Sequence, residues 1–192
     1  IGTSFRTAPG GKGANQAVQC ARLGASVTMA GCVGGDAFGR EMTDAAKESG
    51  VDVSHVKISK EHSSGVGNIQ LEISEHGARN RILVVPGANF DLTPGDLKWM
   101  KDEIGQFDLL MLQLELTMPV VKYAAACAHA AGVPVMLNPA PAAPLDAELL
   151  KCVTYLSPNE HEAALLAGLP LRADSGAVNR EDLKKVTGAL RA

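Results

Sequence analysis

The sequence lacks the features that mark several whole classes of protein. Its four cysteines (Cys20, Cys32, Cys127, Cys152) form no CxxC pair, and its five histidines (His55, His62, His76, His129, His161) never stand at the i, i+4 spacing of helix-borne metal ligands. Metal ligation by Cys or His is therefore not expected. Each cysteine lies in an apolar helical or strand context and reads as a reduced, buried thiol of a cytoplasmic protein. Lys and Arg do not cluster and the net charge is −3, which argues against nucleic acid or a membrane surface as a partner. No apolar run reaches the roughly 18 residues that span a bilayer. An initiator Met is missing at Ile1, and the chain closes at Ala192 inside a helical pattern that Asn179 or Asp182 starts, so an internal portion of a longer protein is expected. What is present is 192 residues, 46% apolar and 20% charged, sufficient for a globular domain that buries roughly 70% of its unfolded surface.

The most informative stretch is residues 10–34. It begins Gly10-Gly11-Lys12-Gly13-Ala14-Asn15-Gln16-Ala17, continues as a helical pattern to Gly24, and then as a strand pattern to Gly34. Paired glycines remove side chains where backbone must approach something closely. Asn15, one turn further on, brings two donors and an acceptor suited to hydroxyl groups. A phosphate-cradling P-loop does not fit, because Gly13 follows Lys12 where Ser or Thr is needed. A dinucleotide fingerprint fits poorly as well. Asp36 stands about 20 residues on, but Gln16 occupies the third glycine position, and the preceding Arg6-Thr7-Ala8-Pro9 is polar where that motif needs an apolar strand. A glycine-rich turn before a core helix is the plain alternative.

The rest of the chain alternates apolar and helical segments. Residues 12–23 carry Ala14, Ala17, Val18 and Ala21 on one helical face. Residues 27–33, 108–114, 133–137 and 153–156 read as buried strands, and 38–49, 118–131 and 160–167 as helices. Strands apolar throughout and separated by helices predict a mostly parallel sheet covered on both faces, an α/β fold with a Rossmann-like three-layer α/β/α arrangement. Ligands in such folds bind beyond the carboxyl ends of the strands. Residues 65–73 break the pattern: Ile69, Leu71 and Ile73 alternate with Gln70 and Glu72. His76-Gly77 turns the chain into residues 81–85, an antiparallel hairpin that is either an edge of the main sheet or a separate element.

Residues 10–34 resemble the N-terminal signature of the ribokinase/PfkB family of carbohydrate kinases, Gly-Gly-x-Gly-x-Asn-x-Ala with later glycines matching Gly24 and Gly34. The resemblance covers essentially the whole chain. It implies a partial ribokinase-like domain over residues 1–192, with segments near 1–8 and 64–86 forming a small antiparallel β lid that closes over the sugar and pairs two subunits as a homodimer. It implies sugar contacts for Gly10, Gly11, Lys12, Gly13, Ala14 and Asn15. Glu115, in Gln113-Leu114-Glu115, resembles a family Glu that binds a sugar hydroxyl; as a plain residue it would instead cap the helix starting near Met118. Asn138-Pro139-Ala140-Pro141 resembles a family segment lining the crevice, and is otherwise a strand-ending turn.

Asn159-Glu160-His161-Glu162 resembles the family's Asn-x-x-Glu motif, associated with ATP and Mg²⁺. Asn159 and Glu162 are then ATP-site residues, and Glu162 is an indirect Mg²⁺ contact. The same four residues also fit a helix cap with its reciprocal partner at the third position. The resemblance implies transfer of the ATP γ-phosphate to a sugar primary hydroxyl, with a monovalent cation (K⁺) as a further family expectation. The three segments point to ribose over fructose or 2-keto-3-deoxygluconate, while deoxyribose and nucleosides stay open. The family's catalytic Asp belongs to an Asp-Thr-x-Gly-Ala-Gly-Asp motif that does not occur here, so no catalytic residue is expected in this chain and the base is expected beyond Ala192. A non-catalytic sugar-binding relative and an NAD-dependent oxidoreductase are the readings of other classes.

Overall fold

The predicted alternation of helix and strand is realised in a computed structural model that describes residues 4–74, 77–174 and 177–191. The chain divides into two units, Ile1–Asp96 and Leu97–Ala192.

In the first unit, α1 (Lys12–Arg22) leads to β1 (Val27–Gly34), α2 (Ala37–Glu48) and β2 (Val51–Ser59). Asp36 starts α2 by accepting the Gly39 amide at 2.8 Å, the usual way an orphan donor of the first turn is satisfied. α2 is the crossover that lets β1 and β2 pair in parallel, from Val27 opposite Val51 to Gly34 opposite Ser59. β2 is not among the predicted strands. Its polar residues alternate with apolar ones because one face of the strand stays in solvent, where Asp52 and Ser54 are exposed, while Val51 on the other is buried. Cys32, Ala46, Val51, Ala88 and Leu92 form the buried core of this unit.

The predicted hairpin is longer than its sequence signal: β3 (Val66–Ser74) and β4 (Gly77–Val85) run antiparallel from Val66 opposite Val85 to Ser74 opposite Gly77. Glu75 and His76, the first half of the predicted turn, lie outside the described residues. Among the described residues the hairpin pairs with no other strand, so it is a separate two-stranded sheet rather than an edge of the parallel one. Ile69, Ile82 and Val84 share one face with Leu71, and all four are more than half exposed. Of the other predicted lid segment, Ile1 to Thr3 lie outside the described residues, and residues 4–11 are irregular.

The second unit contains α3 (Met100–Glu103), β5 (Leu110–Leu112), α4 (Met118–Ala130), β6 (Val135–Leu137), α5 (Ala147–Cys152), β7 (Tyr155–Leu156) and α6 (Glu160–Ala167). It ends with β8 (Ala173–Asp174), β9 (Ala177–Val178) and α7 (Arg180–Arg191). β5, β6 and β7 form a parallel sheet in that order, with Leu110 opposite Val135 and Met136 opposite Tyr155. α4 buries Val120, Val121, Ala124, Ala125 and Ala128, a stripe of small side chains that lets the helix lie close on the sheet, where Leu112, Val135 and Leu137 are buried.

The strands are shorter than their apolar runs, since ladder bonds stop where residues 113–114 bend away and Leu114 donates to the Ala140 carbonyl at 3.0 Å. α5, capped by Asp146, and the β8–β9 pair are additions to the predicted elements. α7 starts at Asn179, whose side chain accepts the Glu181 and Asp182 amides, rather than at Asp182. The α/β class therefore stands as predicted, with its parallel strands in two sheets among the described residues. The expectation of four buried thiols is corrected: all are free, but only Cys32 is buried, and Cys20, Cys127 and Cys152 lie on helix faces that stay half-exposed. Among the described residues, no helix is long and apolar enough to cross a membrane.

Asp182 fastens α7 to the preceding loop. Its carboxylate, 5% exposed, takes the Arg172 guanidinium in two bonds (2.8 and 3.0 Å) and the Arg172 amide at 3.3 Å. The Arg172 guanidinium holds this carboxyl down from 3.8 to about 2. A depressed folded-state value means the stabilisation is fully present above pH 3.8 and is lost as pH falls through about 2. We expect Asp182→Asn to lower the thermal unfolding midpoint by several degrees at pH 7, with the deficit shrinking steadily below pH 3.8 in calorimetric scans. A deficit independent of pH would refute this account.

Candidate functional site

α1 opens on Gly11, whose φ of 96° is a backbone conformation that a residue with a Cβ adopts only with strain. The turn closes through the Asn15 amide and the Gly11 carbonyl at 2.9 Å, so the predicted loop of Gly10, Gly11, Lys12 and Gly13 is the start of the helix itself. Three of the predicted residues, Gly10, Ala14 and Asn15, line a groove of about 430 Å³ that runs along α1 and is walled on its other side by Met42, Ala45 and Ala46 of α2. The walls are mostly apolar, while Asn15 at one end and Arg22 at the other bring hydrogen-bonding groups to them. Gly24, at φ 94°, ends the helix as its position in the motif predicts.

The second unit collects the other predicted residues at one edge of its sheet. Glu115 follows the carboxyl end of β5 by three residues, Asn138 directly follows β6, and Asn159 follows β7 by three residues. Because the three strands are parallel neighbours, their carboxyl ends share an edge, and the residues leaving them are brought together. Asn138 links two of these ends: its amide donates to the Leu112 carbonyl of β5 at 2.9 Å, and its side-chain amide donates to the Ser157 carbonyl at 2.8 Å. Glu115 lies on the bend between β5 and α4, half-buried, and not at a strand's last position as the apolar run suggested. α4 starts with Thr117 and Pro119, and its first turn holds no acidic residue.

Asn159 and Glu162 form a closed cap at the start of α6. The Asn159 side chain accepts the Glu162 amide at 2.8 Å, and Glu162 accepts both the Asn159 amide (2.9 Å) and its side-chain NH₂ (3.0 Å). Glu162 is 6% exposed, with each carboxylate oxygen already taking one donor. This donor set fits a hydrated Mg²⁺ approached through water at the start of a helix, since each Glu162 oxygen keeps a lone pair beyond its cap bond. Among the described residues no cluster of His, Cys, Asp and Glu has the makeup of a direct metal site.

Asp36, the acidic residue of the dinucleotide alternative, is turned away from any ribose contact: both its oxygens are taken by backbone and hydroxyl donors of the chain itself. The residues that sequence reading missed are of two kinds. The Ser157 carbonyl that orients Asn138 is a backbone group and leaves no mark in the sequence. The set around Asp91 joins Ser59, His62 (2.8 Å) and, through the Asp91 carbonyl, Lys57 (3.0 Å). It is polar and dispersed over more than thirty positions, and it assembles where the helical turn at residues 87–91 meets the end of β2.

The profile of the pfkB family carbohydrate kinases matches residues 1–192. Ribokinase of Schizosaccharomyces pombe is 46% identical over 177 residues, 90% of this chain and 54% of that protein. Ribokinase of Bacillus subtilis is 42% identical over 166 residues, 86% of this chain and 55% of that protein. A structure of Arabidopsis thaliana ribokinase complexed with ribose and ATP matches with a TM-score of 0.77 at 27% identity, over 95% of this chain and 57% of that one. The chain thus spans about half the length of the relatives it matches. It belongs to the pfkB family of carbohydrate kinases, with a ribokinase-like α/β fold.

Proposed function

We propose that the whole protein is an ATP-dependent sugar kinase that transfers the γ-phosphate to the primary hydroxyl of a pentose, D-ribose to ribose 5-phosphate. The observation that carries this reading is the set of Glu115, Asn138 and Asn159 at the carboxyl ends of three adjacent parallel strands. It is supported by the glycine-opened turn that presents Asn15, and by identity to ribokinases. In this reading Gly10, Gly11, Lys12, Gly13, Ala14, Asn15, Glu115 and Asn138 serve the sugar. A carboxylate such as Glu115 accepts two hydrogen bonds from a vicinal diol, and Asn15 can both donate and accept. Asn159 and Glu162 serve ATP, with Glu162 reaching Mg²⁺ through water. Phosphoryl transfer needs positioning and charge neutralisation, and Mg²⁺ supplies the latter when bound. K⁺ dependence and a cytoplasmic location, the latter in keeping with four free thiols, belong to the same proposal. The catalytic base is assigned to none of the 192 residues, so the chain alone is a substrate platform without turnover.

The hairpin fits the lid of this reading. Ile69, Leu71, Ile82 and Val84 make a ribbon face that a single chain leaves in water, and an isolated two-stranded hairpin is marginal by itself. A second copy of the chain, pairing the two lids, would bury it.

Three measurements test the proposal. The full-length protein should phosphorylate ribose faster than fructose or 2-keto-3-deoxygluconate, with deoxyribose the nearest competitor; equal rates on fructose and ribose would sink the ribose assignment, and detectable turnover by the 192-residue chain alone would overturn the statement about the base. Asn15→Ala should raise the sugar KM by about 10-fold or more, the cost of roughly 1–3 kcal/mol for unpaired polar surface; an unchanged KM removes Asn15 from the site. Ile69→Lys with Ile82→Lys should convert a dimer to monomers in analytical ultracentrifugation without loss of secondary structure, and a variant that stays dimeric would exclude the hairpin face as the interface.

A further inference from the structure

The function proposed above leaves Asp36 without a role, although its carboxylate is among the most heavily used in the molecule. Three chain segments meet on it. Oδ1 accepts the Gly39 amide (2.8 Å) and the Ser64 hydroxyl (2.7 Å), while Oδ2 accepts the Ser64 amide (2.7 Å). The Ser64 oxygen in turn accepts the Gly34 amide at the end of β1 at 3.0 Å. A helix cap needs one acceptor, and Ser or Asn would serve as well; the two further bonds to Ser64 are unrelated to capping. Their donation holds the Asp36 carboxyl below its ordinary range, with the Ser64 hydroxyl the largest cause.

The surroundings make this link decisive. The segments cross backbone against backbone: a Cβ on Gly39 would overlap the Gly34 carbonyl oxygen, and one on Gly34 would overlap the Ser64 amide nitrogen. The close approach leaves no room for a side chain at Gly34 or Gly39, and the hydrogen bonds of Asp36 and Ser64 tie these segments together. Ser64 is 1% exposed and stands two residues before β3, while the neighbouring Ser63 carbonyl accepts the Ala88 amide (2.8 Å) just beyond β4. Both strands of the hairpin are therefore moored at Ser63 and Ser64, and Ser64 is moored by Asp36.

We propose that Asp36 is a positioning residue which, through Ser64, sets the direction in which the β3–β4 hairpin leaves the β1–β2 pair. Its effect on catalysis rests on the reading of that hairpin as the sugar lid; its effect on the hairpin does not.

The test uses the full-length protein. Asp36→Ser keeps a good cap for Gly39 but cannot span both donors of Ser64, and Ser64→Ala removes the hydroxyl. In Asp36→Ser, amide hydrogen exchange across β3 and β4 should quicken by about 10-fold, the loss of one net hydrogen bond, while the first turn of α2 keeps its protection. The sugar KM should rise roughly 5-fold or more with kcat changed less. The double variant should show little beyond the larger single effect, since both changes cut one link. Unchanged hairpin exchange in Asp36→Ser, or strictly additive effects in the double variant, overturns the proposal. Should the wild type phosphorylate no sugar, the kinase reading fails and the exchange measurement still decides the role of Asp36.

Discussion

Parallel pairing is the constraint on which the rest of this structure depends. Two parallel strands cannot be joined by a tight turn, so each connection must travel the length of the sheet, and it does so here as a helix: α2 between β1 and β2, α4 between β5 and β6, α5 between β6 and β7. Within each parallel sheet the arrangement points the strand ends one way and delivers each departing loop to the same edge. Glu115, Asn138 and Asn159 are 44 residues apart from first to last in the chain, yet they leave adjacent strand ends. The buried stripe of α4 against Leu112, Val135 and Leu137 fixes that edge, because a helix of Val and Ala packed on aliphatic strands has little room to slide.

How much of this the sequence disclosed varies with the kind of signal. Glycine, capping and apolar-run signals were legible: α1, β1, α2, α4 and α6 lie within a residue or so of their expected bounds, and the Asn-x-x-Glu cap forms as its spacing implies. The hairpin was legible in its alternation. β2 was not, because a strand with one solvated face and several polar residues resembles a loop with stray valines, and its identity comes from register with β1 rather than from its own composition. The strand lengths in the second unit were overestimated for a related reason: apolar runs report burial, and residues such as Leu114 are buried beyond the point where ladder bonding stops. Glu115 shifted from strand end to bend on that account.

Asn159 and Glu162 show how two side chains can satisfy a helix terminus between themselves. Each uses the other to meet its hydrogen-bonding needs, so the pair carries no unsatisfied buried group whether or not anything is bound. A carboxylate kept in this way is fixed in position by two bonds from one neighbouring residue. Asn138, held by a carbonyl from the neighbouring strand end, is fixed in the same sense.

The crossing of Gly34, Gly39 and Ser64 also bears on the order in which the first unit acquires its structure. Its bonds join residues 28 and 30 positions apart, each pairing a backbone amide with a side-chain oxygen. Closing loops of that size costs entropy that local helices do not incur. α1 and α2 can form from near-neighbour contacts, whereas the crossing has to wait for β1 and β2 to be paired. The hairpin, moored there through Ser63 and Ser64, is then a late element of its unit to be fixed in direction, and its exposed apolar ribbon stays available to other chains until that happens.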